Sequence, residues 1–232
     1  MEYIFNTSEP TTASGNSAET KALLHLLCFD EDSNKIDAFA IDCFNDVTGM
    51  DGQVTALFDV QSKATSKTSP RQIGKDLVTL YKNYTSEFSS FFKSYTLFLG
   101  GVSSSVLADG SSSYFRFEDM KSDARVKVRD GLLESCSEKS YIESELVSDE
   151  LIDEFLDRVK FVLAKPSCLD YIRPLIRTSA AIMPDDRALQ KIFNEIRDTQ
   201  SSFKNRPSIA NRAISAPNQV WDCSRVLGRR QI

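Results

Sequence analysis

Asp46 and the triplet Gln61-Ser62-Lys63 are the residues of this chain whose types and spacing could do chemistry. The triplet ends the run Val54-Thr55-Ala56-Leu57-Phe58-Asp59-Val60, which is rich in strand-favouring residues. Side chains alternate along a strand, so Asp59, Gln61 and Lys63 share one face and Phe58, Val60 and Ser62 the other. Three polar groups on one face are costly if buried without partners. Such a face is either solvated or built around something polar. Asp46 offers carboxylate oxygens to a hard cation, and Gln61 offers its amide carbonyl and the backbone carbonyl beside it. An oxygen-only set of this kind suits Mg2+, or Mn2+ in its place. Lys63 could orient or help deprotonate a water on that ion and stabilise charge on a phosphodiester under attack. Glu19 adds a carboxylate if its helix packs over the strands. The alternative is plainer: Asp59, Gln61 and Lys63 form the solvent face of an edge strand, and Asp46 is a turn residue.

The elements that must position these groups follow from periodicity and punctuation. Ser17 is a candidate cap for a helix over residues 18–29, with Glu19 in its first turn and a broad leucine face. Residues 36–44 read as a strand and 48–52, with Gly49 and Gly52, as a turn. Residues 54–63 then form the partner strand of a hairpin. Ser69-Pro70 marks the start of a helix expected to run to Phe92. A buried strand is expected over 95–102, a Ser/Gly-rich loop over 103–113 and a short strand over 114–117. Helices are expected over 121–139, 149–163, 169–183 and 185–203, and the tail with Trp221 has no clear period.

The chain of 232 residues is 41% hydrophobic, and no apolar run approaches the roughly 20 residues of a membrane span. Residues 1–15 read as a flexible lead-in without the basic and apolar regions of a secretory signal. Five scattered cysteines with no CxxC pair indicate neither a disulfide framework nor a zinc site, which fits a reducing cytoplasm. A single histidine, His25, flanked by leucines, excludes an HExxH site and reads as an ordinary helix residue. The net charge of −5 does not by itself suggest a nucleic-acid partner, but its distribution is uneven. Residues 61–93 hold six basic and two acidic side chains, 118–157 carry about −8, and the stretch after Gln200 about +5. Lys67, Arg71 and Lys75 in the basic flank are candidate phosphate contacts.

Asp46, then Gln61-Ser62-Lys63 fifteen residues on, then a helix and an apolar strand, resembles the PD-(D/E)xK nuclease superfamily. More narrowly, Phe58-Asp-Val-Gln-Ser-Lys63 is similar to the N-terminal nuclease domains of CBASS-type and Lamassu-type anti-phage effectors, which cut double-stranded DNA. Glu154 to Val162 also resembles a stretch that follows the core in those proteins, so the resemblance covers about residues 14–162. It implies an α/β fold, a restriction-endonuclease-like mixed sheet flanked by helices, over 1–118, with a C-terminal helical extension and basic tail over 119–232. It implies a Mg2+-dependent double-stranded DNA endonuclease acting in anti-phage defence. Asp46 and Gln61 would be the metal ligands, and Asp46, Gln61, Lys63 and Glu19 the catalytic set. Gln61 stands where the superfamily has its second acidic ligand, and Asp59 is a candidate to compensate. Only two strands are legible between the helices, where the superfamily usually has three. Activation is expected from a sensor or other defence-system subunit, or from homo-oligomerisation, with no membrane partner. The alternative function is a catalytically inactive nuclease-fold interaction or regulatory subunit.

Overall fold

A computed structural model describes residues 2–5, 13–108, 112–177, 183–206 and 209–232. In chain order the elements are β1 (Tyr3–Ile4), α1 (Ala13–Cys28), β2 (Ala38–Ile41), β3 (Val47–Met50), β4 (Leu57–Lys63), α2 (Pro70–Asp76), α3 (Val78–Thr85), β5 (Phe92–Leu99), β6 (Tyr114–Phe115), α4 (Ser122–Glu138), α5 (Asp149–Arg158), β7 (Val159–Leu163), α6 (Leu169–Arg177), α7 (Asp186–Lys204), β8 (Ala213–Ile214) and β9 (Val226–Gly228). Seven strands make one mixed sheet in the order β6-β7-β5-β4-β3-β2-β9. β2, β3 and β4 form an antiparallel meander, and β4, β5 and β7 run parallel. β4 therefore joins the two halves. β1 and β8 form a separate antiparallel pair. The mixed α/β fold expected from the sequence is the observed one.

Strand alternation builds two cores. Phe58 and Val60 of β4, Phe39 and Ile41 of β2, and Phe98 of β5 pack under the leucines of α1 and under α6 and α7. Leu57, Leu97, Leu99 and Phe161 point to the other face, against α2 to α5. Asp59, Gln61 and Lys63 share that second face, as period-two alternation requires.

Several expected boundaries shift for identifiable reasons. Helix α1 starts at Ala13, so Ser17 lies inside it instead of capping it, and the lead-in is shorter than residues 1–15. Once a helix is nucleated, extension gains one hydrogen bond per residue fixed. Of the rest of the lead-in, residues 2–5 are described, and 1 and 6–12 lie outside the described residues. The expected two-stranded hairpin is a three-stranded meander, because residues 47–50 are the strand β3 and not a turn. Gly49 is a packing glycine: a Cβ there would lie 2.8 Å from Ile36 Cδ1. The true turn follows it, with Asp51 Oδ1 accepting from the N–H groups of Thr55 and Ala56. β2 ends at Ile41, and the next residue, Asp42, takes a left-handed φ of 53°, a conformation Asp tolerates better than most residues.

Ser69 caps α2 as expected, accepting from the Gln72 N–H, with Pro70 at the first helical position. The single helix to Phe92 is instead two, broken at Leu77, and β5 already starts at Phe92. The expected helix over 149–163 stops at Arg158, and Val159–Leu163 is strand β7 between β5 and β6. Val159 continued the apolar stripe of α5, but Val-Lys-Phe-Val also alternates with period two, and sheet pairing wins. The helix over 169–183 is observed to Arg177, and 178–182 lie outside the described residues, as do 109–111 of the expected loop. Residues 119–232 are not a purely helical extension. They supply β7 and the edge strand β9 to the same sheet as β4. No helix among the described residues is long and apolar enough to cross a membrane.

Candidate active site

The site lies at the carboxyl end of β4. Val47 pairs with Val60 across β3 and β4, so the next residue back, Asp46, comes opposite Gln61. Its carboxylate oxygen Oδ2 accepts from Gln61 Nε2 at 2.9 Å, from the Ser62 N–H at 2.8 Å and from Ser62 Oγ at 2.9 Å. Gln61 Oε1 accepts from Thr79 Oγ1 of α3 at 3.0 Å. Lys63 is half-buried and makes no ion pair with another described residue. Its charge opposes the burial that raises the Asp46 carboxyl above the usual carboxylate range.

Glu19 reaches this group from α1 on the opposite face of the sheet. It is buried, and both its oxygens accept from Lys204 Nζ at 2.8 Å. Burial raises its carboxyl, and the nearby charge of Asp46 raises it further against the opposing charge of Lys204. Asp46, Gln61, Lys63 and Glu19 thus meet at one end of the sheet.

Asp59 is not a spare ligand. It is fully buried, and its carboxylate accepts from Asn45 Nδ2 at 2.6 Å, Thr48 Oγ1 at 2.7 Å and Asn83 Nδ2 at 2.6 Å. Asn83 in turn accepts from Tyr3 Oη at 2.6 Å. Its role is to tie β3, β4 and α3 together beneath the site.

Two segments set the geometry from outside. Gly100 and Gly101 follow β5 and lie against the loop after Lys63, where a Cβ would come 2.5 Å from the Ala64 oxygen and 2.2 Å from the Ser66 oxygen. The turn from Asp42 to Asp46 is closed by the Asp42 N–H donating to the Asp46 carbonyl at 3.1 Å. Arg225 clamps it, donating to Asp42 Oδ2 at 2.6 Å while almost fully buried. Thr79, Lys204 and Arg225 were missed in the sequence. Nothing local marks them, since Lys204 and Arg225 lie more than 180 residues from their partners.

The candidate DNA contacts are unequal. Lys67 is exposed. Arg71 and Lys75 share Glu134 of α4, at 2.6 Å and 2.7 Å. Their charge is thus partly spent inside the molecule, a pairing that the opposite signs of 61–93 and 118–157 foreshadow. His25 lines a cavity of about 450 Å3 with Phe29, Lys160, Lys165 and Tyr171. All five cysteines are free thiols.

The oxygen donors of Asp46, Glu19 and Gln61 fit a hard divalent cation in type. Among the described residues, no group of three or more His, Cys, Asp or Glu side chains could hold a metal, so the amide of Gln61 would have to complete the set, and it would have to turn over to do so, because it presents Nε2 to Asp46 and Oε1 to Thr79. Ser62 already ties down one oxygen of Asp46, which orients the other.

No family model matches the sequence, and no curated relative does. Two solved structures are similar in fold, both of an Acinetobacter baumannii Cap4 SAVED/CARF-domain containing receptor. One holds the cyclic trinucleotide 2'3'3'-cAAA, with 11% identity, a TM-score of 0.48 and 85% of this chain covered. The other holds 3'3'3'-cAAA, with 10% identity, a TM-score of 0.48 and 97% of this chain covered. The chain spans less than half the length of these structures, 43% and 44%.

Proposed function

We propose that this chain is a nuclease module of the PD-(D/E)xK type that hydrolyses phosphodiester bonds of double-stranded DNA with Mg2+ in anti-phage defence. The supporting observation is the cross-strand contact of Asp46 with Gln61-Ser62, with Lys63 next along the same strand and Glu19 reaching in from α1. When bound, the ion supplies Lewis-acid charge beside the phosphate. Asp46, Glu19 and the Gln61 carbonyl would hold it, and Ser62 fixes the orientation of Asp46. Lys63 sits where an ammonium can neutralise charge developing on the phosphate and orient the attacking water. Thr79 holds the Gln61 amide. A sensor subunit or a second copy of the chain supplies the trigger.

A second reading is favoured by one observation, the occupation of Glu19 by the Lys204 ammonium. In that reading the chain is a regulatory or interaction subunit that keeps the fold without cutting. Incubation with plasmid and linear DNA in Mg2+, Mn2+ or EDTA separates the two. The first reading expects cleavage that stops with EDTA and in Asp46→Asn. A folded protein that leaves both DNAs intact with either metal, alone and with its activating partner, sinks it.

A further inference from the structure

Lys204 is the last residue of α7, and its side chain is 10% exposed against 8% for Glu19. Desolvating two charges offsets much of their attraction, so a buried ion pair is weak evidence of a stabilising role. This pair stands near a half-buried carboxylate, Asp46, and the Lys204 charge acts on both acids. One ammonium therefore contacts Glu19 and also offsets the charge of Asp46. Those are the partners and the sign of charge that a hard divalent cation would take. The seam that holds Lys204 is polar. One turn earlier, Gln200 Oε1 accepts from Thr20 Oγ1 at 2.9 Å, while its buried Nε2 has no partner among the described residues. Phe203 beside it stays buried in the core, so it is the Lys204 side chain and not the helix end that is free to leave. Lys204 is also the helix terminus, capped by Asn205, so its side chain can swing away without unwinding interior turns.

We propose that Lys204 is a built-in cation that holds the place of the divalent ion in the resting site, and that metal binding displaces its ammonium from Glu19. This rests on the reading of Glu19, Asp46 and Gln61 as a cation site. It makes metal affinity a competition, and it makes the Lys204 side chain the part of the molecule that moves on metal binding.

Two measurements on the full chain test it. Mn2+ binding, followed by electron paramagnetic resonance, is expected to tighten at least about tenfold in Lys204→Met and in Lys204→Gln. Amine acetylation of the unsubstituted protein, read by mass spectrometry, is expected to be slow at Lys204 in EDTA and several-fold faster in saturating Mg2+. Lys160, buried in an ion pair with Glu31 elsewhere, is the unchanged control. Mn2+ affinity unchanged or weakened in folded variants overturns the inference, as does Lys204 that stays protected in saturating metal. If removing Lys204 prevents folding, the acetylation readout decides alone. If neither parent nor variants bind Mn2+, the cation-site reading falls and takes this inference with it. Tighter Mn2+ binding without DNA cleavage upholds the role of Lys204 and removes hydrolysis.

Discussion

Lys63 is the residue on which hydrolysis most directly depends. It ends a strand and has no ion pair with a described residue, so Lys63→Ala should leave stability within about half a kcal/mol. Acid–base groups in catalysis typically contribute on the order of a hundredfold to ten-thousandfold in rate. Cleavage should therefore fall by that factor, with Mn2+ affinity retained. A variant that cuts plasmid as fast as the parent removes Lys63 from the chemistry. His25 offers a cleaner electrostatic test, because it is the single histidine. Burial, opposed by Asp30 and aided by Lys165 and Lys160, lowers its pKa to about 4. The unfolded chain binds the proton near 6.5. Between these values the unfolded state holds more protons, so stability is full above about pH 6.5 and is lost as pH falls toward 4. The loss amounts to at most about 3 kcal/mol. Glu19 and Asp59, whose carboxyls are raised, change stability with the opposite sign over the same range, so the difference between parent and His25→Gln in urea unfolding at pH 7 and 4.5 isolates the histidine. A titration of the imidazole by NMR with a midpoint near 6.5 would contradict the burial described here.

At the scale of elements, the α2–α4 seam governs the basic flank. A Cβ on Gly74 would lie 2.0 Å from the Val128 carbonyl oxygen, and one on Gly131 2.1 Å from the Arg71 oxygen. Both obstacles are backbone, so neither yields by a rotamer change. Alanine is favoured over glycine inside an isolated helix by about 1 kcal/mol. Here the clash outweighs that gain, and Gly74→Ala is expected to destabilise by about 2 kcal/mol or more in urea unfolding. A stabilised variant would show that the helices are not so close. The same seam holds Glu134 against Arg71 and Lys75. Glu134→Gln frees both cations, so DNA affinity at low salt should rise about threefold to tenfold, with a steeper salt dependence. Fluorescence anisotropy at two salt concentrations measures both effects. Unchanged affinity would place the DNA elsewhere.

At the scale of the whole molecule, the last quarter of the chain closes the structure around the site. β9 adds the edge strand beside β2, and Arg225 just before it clamps the turn that carries Asp46. Arg225 also donates to the Arg206 carbonyl, linking the turn to the end of α7. Removing one partner of a buried ion pair leaves a charge uncompensated, at a cost of about 3–5 kcal/mol. Arg225→Ala should therefore lower the unfolding free energy by that amount, read in urea unfolding as a lower midpoint. It should also slow cleavage in whatever fraction stays folded, because the Asp46 turn loosens. Full stability in this variant would mean that Asp42 finds solvent or another partner.

The site's central strand was legible because its information is local. Phe58 to Lys63 alternates apolar and polar side chains, so the shared face of Asp59, Gln61 and Lys63 follows from strand geometry. Ser69-Pro70 likewise fixes a helix start through its own cap and its own φ. The wider α/β class follows from such segments taken together. What the tertiary structure decided depends on partners distant in sequence. β3 hid behind Gly49, whose missing side chain makes room for Ile36 and resembles a turn signal until the packing is known. Val159–Leu163 carries both a helical stripe and a two-residue alternation, and only the vacancy between β5 and β6 selects the second. The Lys204 and Arg225 contacts carry no local pattern at all, because a long-range ion pair depends on where two helices and a turn come to rest.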